Sequence, residues 1–146
     1  MSVIAWDGNT IAADRLCSGG GIASEVRKLF DTKYGFIGFS GDYAHIKQFL
    51  YWFVEEEHAP DKVPAFQLDK QDYLKAMWVD NAGEIYIFEN NAYPFALPNT
   101  KQFAIGSGGE IALGAMAAGA CAIKAVKITS DLNIYCGKGY DSFILN

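Results

Sequence analysis

The sequence predicts an α+β fold in which two antiparallel sheets are covered by helices. Three observations lead there. Hairpin signals crowd the first forty residues, and the apolar period then changes to a helical one. Strand-like segments follow, before two further helical stretches near the end. An alternating strand–helix pattern, which would indicate a parallel sheet, is not what this order describes.

Each element has a local reason. Val3 to Trp6 and Thr10 to Ala13 are apolar runs around Asp7-Gly8-Asn9, and this reads as a hairpin at the N-terminus. Ser18 through Gly21 reads as a glycine-rich loop. Val26 to Phe30 and Tyr34 to Phe39 form a second hairpin around Asp31-Thr32-Lys33. From Asp42 onward Ile46, Phe49, Leu50, Phe53 and Val54 recur at helical spacing, and the pattern fades at Glu55-Glu56-Glu57. Pro60 and Pro64 mark a loop. Tyr73 to Val79 and Glu84 to Phe88 flank Asp80-Asn81-Ala82-Gly83 as a third hairpin. Phe103-Ala104-Ile105 is a short strand entering Gly106-Ser107-Gly108-Gly109, and helices are expected over Glu110 to Ala118 and Cys121 to Ser130. The tail from Asn133 to Leu145 is strand-like. No linker or repeat divides residues 1–146, so one domain is expected.

Composition narrows the function classes. Apolar residues are 51% and charged residues 20% of the chain, an ordinary globular balance rather than a disordered one. A net charge of −5 with no basic run disfavours a nucleic-acid surface. No apolar stretch reaches the roughly 20 residues of a spanning helix, and the first residues do not read as a signal peptide. Cys17, Cys121 and Cys136 lack a CxxC pattern and read as free thiols, so a reducing, cytoplasmic setting is expected. His45 and His58 are the only histidines, leaving little material for a histidine triad or a zinc cluster. No cofactor or metal is expected.

Chemistry-bearing segments then line up in chain order. Ser2 opens the first strand, Thr10-Ile11-Ala12-Ala13-Asp14-Arg15 forms the second, and Lys28-Leu29-Phe30 lies in the third. Gly38-Phe39-Ser40-Gly41-Asp42 joins the fourth to a helix. Ala104-Ile105-Gly106-Ser107-Gly108-Gly109 precedes the small-residue helix Ala112 to Ala120. Over essentially its whole length the chain resembles the proteasome β-subunit superfamily, particularly HslV-type peptidases and shorter, phage-like single-subunit relatives. The likeness is most specific at the AADR and AIGSGG segments and weakest between Glu55 and Asp72, where the chain reads as abridged.

The resemblance implies a four-layer αββα sandwich of the N-terminal-nucleophile (Ntn) hydrolase type. It also implies that Ser2, once Met1 is removed, is the nucleophile and supplies its own α-amine as base. An α-amine has an ordinary pKa of about 7.7–8.0, near working pH, which suits it to that role without histidine. By the same resemblance Asp14 and Lys28 are the acid and cation beside the nucleophile, Gly41 supplies an oxyanion-hole amide, and Ser107 and Gly108 position the amine. Homo-oligomeric rings acting on a peptide or protein are implied as well, with any ATPase partner unidentified.

The residues themselves leave alternatives. Asp14 could be a strand-end surface acid and Lys28 a solvated strand residue, with Lys33 in a turn as the other candidate cation. Gly41 could be only a strand-to-helix turn glycine. Gly106 to Gly109 could cradle a phosphate at a helix start and make the chain a nucleotide-binding module, although the spacing fits neither common phosphate-loop pattern. Asn133 and Cys136 stand where many active proteasome subunits carry Asp and Ser, and an Asn cannot bear the charge. A catalytically inactive structural subunit of the same fold is therefore the competing function. Phe49, Trp52 and Phe53 are expected to form the packing face of the first helix, and the small residues from Gly114 to Ala120 to permit close helix packing against a sheet or another subunit.

Overall fold

The computed structural model describes residues 2–19, 21–64 and 73–146. Met1, Gly20 of the predicted glycine loop, and much of the abridged stretch before Asp72 lie outside them. Three α-helices and antiparallel sheets make up the described chain.

Asp7-Gly8-Asn9 turns the chain as expected between β1 (Ile4–Trp6) and β2 (Thr10–Asp14). Both strands are buried on both faces, which is why they read as continuous apolar runs rather than alternating ones. They lie at the centre of a four-stranded sheet, between β10 (Phe103–Ile105) and β11 (Tyr140–Ile144). A second, five-stranded sheet runs in the order β5 (Leu29–Thr32), β6 (Gly35–Gly41), β7 (Leu74–Val79), β8 (Ile85–Glu89) and β9 (Phe95–Ala96).

Three buried clusters account for the packing. Ile4, Trp6, Ile11 and Ile105 meet Leu29, Met77, Val79 and Ile87, so the two sheets share one apolar core. Ile37, Phe39, Leu74 and Phe88 on the second sheet receive Ile46, Phe49, Trp52 and Phe53 from helix α1 (Tyr43–Val54). On the first sheet, Val3, Ala5 and Ala12 receive Ala112 and Met116 from α2 (Gly109–Ala117) and Ala122, Ala125 and Val126 from α3 (Ala122–Leu132). Small residues in β1 and β2 are what let those two helices approach closely.

Helix α1 begins where Asp42 caps it, its carboxylate accepting the N–H groups of Ala44 (2.9 Å) and His45 (3.4 Å). It ends at the glutamate run, where Glu57 and His58 turn into the left-handed region at φ 54° and 43°.

Three local expectations need correction. The segment read as a glycine loop belongs to a hairpin, β3 (Leu16–Gly19) with β4 (Ile22–Glu25); β4 is exposed throughout and β3 only half-buried at Leu16 and Cys17, so neither shows the apolar alternation of a half-buried strand. Lys28 lies just before β5 rather than inside a strand. Only Tyr140–Ile144 of the tail is strand; Asn133 to Gly139 is a loop, turned by left-handed Lys138 and Gly139 at φ 61° and 83°. In α2, Ala112 and Met116 are buried, whereas Gly114, Ala117, Ala118 and Gly119 are exposed.

Candidate active site

Ser2 lies one residue ahead of Val3, whose backbone is locked onto Asp14. The Val3 N–H donates to Asp14 Oδ1 at 3.1 Å, and the Asp14 N–H donates to the Val3 carbonyl at 3.2 Å. Asp14 Oδ1 also accepts from Lys28 Nζ at 2.9 Å, while Oδ2 accepts the N–H groups of Leu16 (3.3 Å) and Gly137 (3.1 Å). This carboxylate is fully buried and the Lys28 side chain is only 5% exposed. A lysine is rarely buried without a partner, and here the partner holds it at the site. Neither the surface-acid nor the solvated-lysine reading fits this geometry. Lys33, the other candidate cation, is exposed in a turn and pairs with Glu57 at 3.5 Å.

Ser2 is held from its other side by the loop before α2. Its N–H donates to Ser107 Oγ at 3.2 Å, and its carbonyl accepts the Gly108 N–H at 3.0 Å. Gly106 passes so close, at φ 95°, that a Cβ there would lie 2.1 Å from the Ser2 carbonyl oxygen. Backbone on both sides fixes that approach, so only glycine fits. We expect Gly106→Ala to cost about 2–4 kcal/mol of unfolding free energy in chemical denaturation. Gly119→Ala is the control: it has a similar φ of 110° with nothing within 4 Å, and should cost only about 1–2 kcal/mol.

The same contacts dispose of a phosphate cradle at Gly106 to Gly109. The Gly108 amide is spent on Ser2 and the Gly109 amide on the Gly106 carbonyl at 2.9 Å. Two donors that a phosphate would need are already taken.

Beneath Ser107 sits Cys136, buried and packed against Gly108. Burial, and then the Asp14 carboxylate, push its thiol pKa up, against a hydrogen bond from Ser107 and the Lys28 charge. Near neutral pH it therefore stays a neutral thiol. Asn133 organises the loop that carries Cys136. Its Oδ1 accepts the Tyr135 N–H at 2.8 Å, and its Nδ2 donates to the Ser107 carbonyl at 3.3 Å. A carboxylate could make the first of these bonds but not the second. The Asn is thus matched to its surroundings here. The loop it shapes also delivers the Gly137 N–H to Asp14.

Ser2, Lys28 and Gly41 line one cavity of about 440 Å³, together with Cys17, Ile46 and Tyr73. Gly41 closes β6 at φ 132°, and a Cβ there would fall 2.0 Å from the Tyr73 carbonyl oxygen. All six predicted residues thus converge: Ser2, Lys28 and Gly41 at the cavity, Asp14 on Lys28, and Ser107 and Gly108 on the Ser2 backbone. Sequence reasoning missed Cys17 and Tyr73 as lining residues. Neither has a local signal, because the hairpin and the strand start that place them meet only in the fold. An Asx turn at Asn133 was readable in principle from an Asn heading a tight loop.

These sheets, helices and strand order are the HslV/proteasome β-type fold. No family model and no curated protein sequence matches the chain. Among solved structures, it is similar to the eukaryotic HslV from Trypanosoma brucei, at 20% identity and a TM-score of 0.71, covering 99% of this chain and 98% of that one. It is equally similar to Thiobacillus denitrificans BPH in complex with epoxomicin, at 19% identity and a TM-score of 0.71, over 100% of both chains. Anbu, an ancestral beta-subunit from Yersinia bercovieri, matches at 13% identity and a TM-score of 0.67, over 99% of this chain and 81% of that one.

Proposed function

We propose that the chain is a four-layer αββα Ntn hydrolase that cleaves peptide amides with Ser2 as nucleophile, after removal of Met1. The observation that carries this reading is the buried Asp14–Lys28 pair, held against the Ser2–Val3 backbone at the edge of a cavity that Ser2 and Lys28 both line. Desolvating a lysine and an aspartate costs several kcal/mol per ion. A purely structural role would be met more cheaply by apolar side chains.

The chemistry follows from those positions. Losing Met1 turns the Ser2 nitrogen from an amide into an α-amine. Ser107 Oγ, already at hydrogen-bond distance, accepts one of its N–H groups and directs the lone pair. The Ser2 hydroxyl gives its proton to that amine as Oγ attacks the substrate carbonyl. The Lys28 cation holds the amine neutral by disfavouring a second positive charge, and stabilises the oxygen nucleophile. The oxyanion that forms is taken by the Gly41 amide. The protonated amine passes its proton to the leaving nitrogen, leaving an acyl ester on Ser2. A water activated by the same amine then hydrolyses the ester. Neutral Cys136 and Asn133 support Ser107 without charge.

The substrate is a peptide or protein, and the working form is a homo-oligomeric ring. The exposed small residues of α2 are one surface that could meet a neighbouring subunit. No helix among the described residues is long and apolar enough to cross a membrane. The competing reading, an inactive subunit of the same fold, is favoured by the departures at Asn133 and Cys136, since fold alone does not establish catalysis.

Intact mass of protein from its native host tests the proposal. The expected product lacks Met1 and gives a one-to-one adduct at Ser2 with an electrophile directed at N-terminal serine. Protein that keeps Met1 and takes no label would establish the inactive subunit instead.

A further inference from the structure

Tyr73 contacts the Gly41 turn in three ways. Its carbonyl accepts the Asp42 N–H at 3.1 Å, the residue just after the glycine. That carbonyl also lies where a Gly41 side chain would have to go. Its phenol oxygen is 2.7 Å from Ser40 Oγ, the residue just before. Ser40 is fully buried whereas Tyr73 is 38% exposed, so the bond ties a buried hydroxyl to a ring nearer the surface, and removing the partner of a buried hydroxyl is costly. Tyr73 meanwhile lines the cavity with Ser2, Lys28 and Gly41.

We propose that Tyr73 is a positioning residue, which fixes the peptide plane at Gly41 so that its amide meets the oxyanion. This rests on the Ntn-hydrolase reading above. Glycine at φ 132° has no side chain to restrain it, and an oxyanion donor acts only if it is held before charge develops. Residues 40 and 42 are each tied to Tyr73, so the glycine between them is clamped at both ends. Tyr73 does not touch the reacting atoms through this contact. Its phenol acts through Ser40, and its effect belongs to the transition state rather than to substrate binding.

Tyr73→Phe removes the hydroxyl and keeps the ring and the backbone contact. In the processed protein, kcat for a peptide amide should fall about tenfold, with KM unchanged within about twofold. Ser40→Ala should give the same split. The double variant should be no worse than either single one, because both cut one hydrogen bond. Unchanged kcat in Tyr73→Phe, a loss carried by KM alone, or multiplicative losses in the double variant would each overturn the proposal. Wild-type protein with Met1 removed but no turnover would instead remove the reading beneath it, and the two failures are distinguishable.

Discussion

Ser2→Ala, processed to the same N-terminal position, is expected to lower peptide-amide turnover by on the order of 10³-fold or more, with little change in stability. Alanine is small enough to permit Met1 removal, so the α-amine is retained and only the hydroxyl is lost. Without Oγ no acyl ester can form, and residual rate would come from the oxyanion donor and bound water alone. The backbone anchors are untouched, since the Ser2 nitrogen and carbonyl make the bonds to Ser107 and Gly108. Unfolding free energy should therefore change by about 1–2 kcal/mol at most. A complementary variant inserts a lysine between Met1 and Ser2, which keeps the hydroxyl but leaves the nitrogen as an amide. It should be equally inactive, separating the base from the nucleophile. Undiminished turnover in Ser2→Ala, read with a fluorogenic peptide, would rule the mechanism out.

Asp14→Ala is expected to have the largest effect on stability. It leaves the Lys28 cation buried without its carboxylate, at a cost of about 3–5 kcal/mol. The N–H groups of Val3, Leu16 and Gly137 lose their common acceptor in the same step. Each such loss is worth about 1–3 kcal/mol where water cannot replace it, although contributions from one network do not simply add. Set against a typical stability of about 5–15 kcal/mol, the change removes a large share. At roughly 3–5 °C per kcal/mol for a chain of this size, Tm should drop by about 10 °C or more. Pairing it with Lys28→Met removes the orphaned charge, and that double variant should be more stable than Asp14→Ala alone. The control is Lys33→Ala, which breaks an exposed pair and should shift Tm little. A Tm for Asp14→Ala within about 3 °C of wild type would show that the pair does not hold the site together.

Much of the fold was legible because its local signals agree with its tertiary fate. Asp7-Gly8-Asn9 and Asp80-Asn81-Ala82-Gly83 turn where they were expected to. The helical spacing from Ile46 to Phe53 became the face of α1 that fills the second sheet. The β3–β4 hairpin escaped notice because a strand exposed on both faces carries no apolar alternation. In α2 the small residues permit close packing, but smallness does not say which face packs. Helix phase relative to the sheet selected Ala112 and Met116.

The site divides along the same line. Resemblance to a known family at short motifs nominated Ser2, Asp14, Lys28, Gly41, Ser107 and Gly108 as candidates, because short motifs carry residue identity. Yet sequence could not choose between a solvated lysine and a buried one at position 28. Burial is a property of what packs around a side chain, and the carboxylate that holds Lys28 lies 14 positions away. The same holds for the Gly137 amide on Asp14, 123 positions distant, and for Ser107 on Ser2, 105 positions distant. Hydrogen bonds of that reach exist only once two sheets and three helices have fixed the strand ends. The sequence by itself determined which chemical groups are present and the order of the strands and helices that carry them. Only the tertiary structure decided that they meet, because distance, desolvation and hydrogen-bond geometry arise from packing rather than from position in the chain.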